Sequence, residues 1–147
     1  MKRFKFQLEP VLDYKQQALD ALMVELNEAR NAAAAQEAAR DRSIQVLADY
    51  DEEFRKRKVE GFNNVKALEY EVGQQVLVER CQQEQRLLER RLRELEVKRQ
   101  QVIAARQETH AIEKLKEIRR KEYDAASLKE EEKFLDDLTA ARRSAEE

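Results

Sequence analysis

Glu60-Gly61-Phe62-Asn63-Asn64 is the one cluster of turn-forming residues between two very long helix-favouring stretches, and it predicts that the chain doubles back. Gly61 has no Cβ and can take positive φ, and either asparagine can follow it in the left-handed region or cap the next helix. Just upstream, Arg55, Lys56, Arg57 and Lys58 place cations where a helix C-terminus exposes unpaired carbonyls and the negative end of its dipole. The basic run therefore reads as a helix ending. A nuclear-localisation or nucleic-acid patch is the sharper alternative.

Working outward, helix 1 is expected over residues 8–58, a turn over 59–64 and helix 2 over 65–144, all within one hairpin. Pro10 is tolerated in a first helical turn, where its missing N–H has no partner to lose. A seven-residue apolar repeat runs through Leu12, Leu19, Leu26, Ala33, Arg40, Leu47 and Phe54, with a second row that includes Leu22, Ala29, Gln36 and Tyr50. This is a coiled-coil seam that weakens between Gln36 and Arg40, where small and polar residues bury little apolar area. In helix 2 the apolar residues Val65, Leu68, Val72, Val76, Leu88, Leu92, Leu95, Val102, Ile112 and Leu115 are expected to face the same seam. Gly73 marks either a slight kink or a close approach.

Composition agrees with a helical pair. Of 147 residues, 41% are charged and only two are glycine and one proline, too few turn-formers for a compact domain of many elements. The net charge of −2 conceals an alternation. Residues 7–54 carry 4 Lys/Arg and 11 Asp/Glu, residues 79–121 carry 13 and 8, and residues 122–147 carry 4 and 9. Folding at Gly61 lays an acidic arm on a basic one, which favours pairing within the chain over self-association of either arm. At ~1.5 Å per residue helix 1 would span about 75 Å and helix 2 about 120 Å, so helix 2 overhangs from about residue 116. Tyr123, Leu128, Phe134, Leu135 and Leu138 recur there at helical spacing among Glu130–Glu132 and Asp136–Asp137. A stripe of this kind does nothing for a lone helix in water, so it reads as a docking segment for another protein, with fraying or pairing with another copy as the alternative.

Chemistry is sparse. No glycine-rich phosphate loop, Cys/His ligand set or G-x-S-x-G elbow is present, and neither metal, cofactor nor catalytic residue is expected. His110 is the single histidine and reads as exposed or at the seam edge; Cys81, also single, reads as a small seam residue. The opening Met1-Lys2-Arg3-Phe4-Lys5-Phe6 lacks the apolar run of an export signal, and no stretch approaches the ~20 apolar residues of a membrane span. An acidic partner arm and the lack of interleaved stacking aromatics argue against nucleic-acid binding.

Three stretches carry a family resemblance. Phe4-Lys5-Phe6-Gln7-Leu8-Glu9-Pro10-Val11-Leu12 resembles the opening of FliJ, the small coiled-coil component of the bacterial flagellar type III export apparatus. Asp49-Tyr50-Asp51-Glu52-Glu53-Phe54-Arg55 is similar to the D-Y-x-x-E-aromatic-R segment before that family's hairpin turn. Glu132-Lys133-Phe134-Leu135-Asp136-Asp137-Leu138 with Ala141-Arg142 resembles its C-terminal signature, departing at Asp137 where glutamate is usual.

The resemblance implies an all-α, antiparallel two-helix coiled-coil hairpin with a C-terminal overhang, non-catalytic and similar to the central stalk of rotary ATPases. It implies three partners: the hexameric flagellar export ATPase, the cytoplasmic domain of the membrane export gate protein, and substrate chaperones. The protein would then sit in the cytoplasm, held at the inner membrane only through those partners. By the same resemblance Leu47, Tyr50, Phe54 and Leu77 form the gate-contacting surface, although Leu47 and Phe54 also satisfy the heptad. Tyr123, Leu128, Phe134, Leu135 and Leu138 form the end that enters the ATPase ring. A purely structural homodimeric coiled coil is the competing reading.

Overall fold

The structure, a computed structural model, describes residues 2–147. Two helices, α1 (Glu9–Glu60) and α2 (Asn64–Glu146), form an all-α antiparallel hairpin. Gly61 takes φ of 86°, and its N–H donates to the carbonyls of Arg57 (3.0 Å) and Lys58 (3.2 Å), satisfying the last turn of α1. Two residues on, Asn63 caps α2: its side-chain oxygen accepts the Lys66 N–H at 2.9 Å and its carbonyl accepts that of Ala67 at 3.1 Å. Because one left-handed glycine ends α1 and a cap follows almost at once, α1 runs on to Glu60 and α2 starts at Asn64. At the other end the Leu12 N–H donates to the Leu8 carbonyl at 2.9 Å, placing Pro10 in the first turn of α1.

The chain divides into two compact units. In the first, Leu22–Val102, the buried residues are Leu26 and Ala33 on α1 and Leu88 and Val102 on α2. Glu25 and Lys98 pair across the seam at 2.9 Å, and Asp51 accepts from Gln74 at 2.7 Å. The second unit joins residues up to Ala21 with Ile103–Glu147 and buries Leu12, Leu19 and Thr109. Thr109 satisfies itself by donating to the Ala105 carbonyl at 2.8 Å. Lys15 meets Glu108 at 2.8 Å, and both carboxylate oxygens of Glu9 lie 2.8–3.0 Å from the Lys116 ammonium. The residue numbers of Lys15 and Glu108, like those of Glu25 and Lys98, add to 123, the register set by a reversal at Gly61 and equal rise in both helices.

The α2 seam differs from expectation. Within Leu22–Val102 its inward positions are Ala67, Tyr70, Gln74, Leu77, Cys81, Glu84, Leu88, Arg91, Leu95, Lys98 and Val102, alternating steps of three and four. Val65, Leu68, Val72, Val76 and Leu92 are exposed instead. Leu88, Leu95 and Val102 face the seam as expected, but polar residues hold several seam positions between Ala67 and Glu84, so there the apolar residues alone trace the wrong face. Lys98, which the i,i+4 rule would give to Glu94, crosses to Glu25, and Glu94 takes Arg91 at 3.1 Å.

The middle of this seam is polar. Gln36 donates to both the backbone carbonyl and the carboxylate of Glu84, and Arg40 reaches Gln85 at 3.3 Å. Cavities of about 470 Å³ and about 320 Å³ remain on its flanks, the former walled by Ile44, Val78 and Cys81 and the latter by Ser43, Val46 and Leu77.

Candidate partner-binding surfaces

Within the Leu22–Val102 unit, the end near the turn is closed by four aromatic rings. Phe54 lies 5.2 Å from Tyr70 and 5.8 Å from Phe62, and Tyr70 lies 5.3 Å from Tyr50. The Tyr50 hydroxyl donates to the Tyr70 carbonyl at 3.0 Å, and the Lys58 ammonium sits 4.8 Å over the Phe54 ring. Desolvation first, then the charges of Tyr70 and Asp51, hold the Tyr50 phenol above its ordinary pKa. Gly73 is a close approach: a Cβ there would collide with the Tyr50 hydroxyl. Only a glycine lets the phenol cross α2 to the Tyr70 carbonyl.

Leu47, Tyr50, Phe54 and Leu77, expected to meet a partner, are all half-buried in this seam, their side chains already engaged within the hairpin. The outward face of α2 carries what they do not offer. Val65, Leu68, Val72 and Val76, each 55–65% exposed, recur at steps of three and four and lie opposite the seam positions Tyr70, Gln74 and Leu77. The signal that locates them is the three-four spacing counted back from Leu88 and Val102.

In the other unit the residues assigned to the overhang fall into two groups. Tyr123 is not free. The non-helical segment Lys2–Leu8 lies along α2, stacking Phe4 on Tyr123 at 5.5 Å, while the Tyr123 hydroxyl donates to the Lys2 carbonyl. Arg120 covers both rings, 5.0 Å from Phe4 and 5.8 Å from Tyr123. The expectation that α2 is unpartnered from about residue 116 is corrected here. The alternation Phe4, Phe6, Leu8 suits an extended strap more than a helix, and the strap carries the pairing on to Tyr123. A cavity of about 690 Å³ remains beneath it. Leu128, Phe134, Leu135 and Leu138 are 47–64% exposed, and every residue from Leu128 to Glu147 is exposed.

Cys81 is half-buried in the seam and His110 is exposed, 3.9 Å from Glu113. Among the described residues no group of three His, Cys, Asp or Glu is placed to hold a metal ion, and no helix is long and apolar enough to cross a membrane.

Fold and surfaces together define a helical-hairpin coiled coil that carries two exposed apolar stripes, one on each unit. The chain belongs to the FliJ family, described as flagellar FliJ protein, which matches residues 4–147. The family is a non-catalytic component of flagellar protein export, which makes this chain a flagellar export-related protein. No curated protein and no solved structure matches the chain.

Proposed function

We propose that the protein is an adaptor joining the hexameric flagellar export ATPase to the cytoplasmic domain of the membrane export gate, and that it escorts substrate chaperones between them. The carrying observation is the pair of exposed stripes. Soluble helices rarely leave such a row uncovered without a partner. Leu128, Phe134, Leu135 and Leu138 enter the ATPase ring, with Tyr123 and the strap at the base of that segment. The gate is met near the turn, where Leu47, Tyr50, Phe54 and Leu77 brace α2 from within and Val65, Leu68, Val72 and Val76 present the contact. The protein is held at the cytoplasmic face of the inner membrane by these partners alone.

Titrating the intact chain into the cognate ATPase is expected to raise hexamer formation and hydrolysis, and Phe134→Ala with Leu135→Ala to weaken both. An ATPase indifferent to the intact chain refutes the reading.

A further inference from the structure

The exposed C-terminal stripe is complementary to itself. On α2 the positions Asp124, Leu128, Glu131, Leu135, Leu138 and Arg142 follow strict four-three spacing, out of phase with the intrachain seam that reaches Lys116 and Tyr123. Laid antiparallel on the same segment of a second chain, with a two-fold axis beside Lys133, every layer finds an opposing residue, complementary in all but the central layers. Leu128 meets Leu138 of the second copy and Leu135 meets its Glu131. At the outer layer Asp124 meets its Arg142. Antiparallel pairing also brings the two Phe134 rings together at the flank of the axis, where large side chains cover the seam.

We infer that two copies of this protein associate reversibly through residues 121–145 as an antiparallel helix pair. Three observations support this occupant. The apolar members are all exposed. Arg142 takes part in no ion pair among the described residues, and Asp124 has only an exposed contact to Arg120 at 3.5 Å, readily exchanged. The opposite charges of the outer layer are placed symmetrically about the two-fold axis, so antiparallel alignment pairs them whereas parallel alignment sets like on like.

Glu131 is the one discordant member. An acid in a central layer weakens the pair while fixing its register, as single polar seam residues do, and it keeps the association reversible. The surface is the one assigned above to the ATPase ring, so the dimer is a reserve state that ring entry must open. That consequence rests on the proposed function; the dimer does not.

Sedimentation equilibrium on the full chain across the micromolar range tests it without the ATPase. A concentration-dependent monomer–dimer equilibrium is expected. Leu135→Asp should abolish it, and Glu131→Leu should tighten it tenfold or more. Asp124→Arg and Arg142→Asp should each loosen it, and the two together should restore it. Circular dichroism confirms that each variant keeps its helices. A chain that stays monomeric throughout, Glu131→Leu included, overturns the proposal. So does a dimer indifferent to Glu131→Leu and to the charge exchange. An intact chain that forms the dimer yet never stimulates the ATPase would count against the ring assignment alone.

Discussion

The end of the hairpin beside the turn and the segment beyond Ala126 are both rich in apolar residues, yet they use them differently. Beside the turn, Tyr50, Phe54, Phe62 and Tyr70 are spent on one another, and the valine-rich outer face of α2 is left over. From Leu128 onward no described residue covers α2, and the whole stripe of Leu128, Phe134, Leu135 and Leu138 is left over. Apolar side chains at helical spacing are therefore structural where a second helix passes and available where none does. Apolar residues recur at helical spacing in both places; the presence of a neighbour separates them.

The largest expected effect breaks the structural side of that comparison. Leu88→Ala removes one of the few buried side chains and should cost about 2–5 kcal/mol, seen as a lower urea midpoint by circular dichroism. Leu135→Ala, an exposed position in the same helix, should change the unfolding free energy by no more than about 0.5 kcal/mol while weakening ATPase stimulation. Equal effects at the two positions would erase the distinction.

Next comes Gly73→Ala, which forces Tyr50 off the Tyr70 carbonyl and should destabilise by about 1–3 kcal/mol. Adding Tyr50→Phe removes the colliding hydroxyl and should recover part of the loss, an interaction that a double-mutant cycle measures. At the turn, Asn63→Ala loses the cap on α2 and should cost about 1 kcal/mol. Val72→Asp with Val76→Asp sharpens the functional side: unfolding should be nearly unchanged, whereas binding to the gate's cytoplasmic domain should fall at least tenfold in a titration.

The smallest effect is alkaline. Tyr50 has its phenol pKa raised in the folded state, so folding favours its neutral form. Its contribution is complete below the ordinary value of 10.0 and fades as pH rises through the higher folded value. A slight loss of stability above about pH 10 should disappear in Tyr50→Phe, read from melting temperatures of the two chains.

Much of the fold is legible in the residues. Gly61 and Asn63 mark the reversal because a left-handed residue and a cap are local demands that few side chains meet. Leu12, Leu19, Leu26 and Ala33 mark the α1 seam because each is apolar and seven apart. The α2 seam is harder to read: Gln74, Glu84, Arg91, Lys98 and Thr109 occupy inward positions, and an amphipathic stem can cover a seam while its polar end reaches water or a partner. A search for apolar residues alone is drawn to Val65, Leu68, Val72 and Val76, on the opposite face.

The amino-acid sequence by itself determined that this protein is two long antiparallel helices, where they reverse, and that α2 outlasts α1. Those features follow from backbone freedom at a few residues and from periodicity, which are local properties. Which face of α2 is inward, and that Lys2–Leu8 returns to cover Tyr123, were decided only by the tertiary structure. A side chain is buried or exposed according to what lies across from it, and that neighbour is distant in the chain.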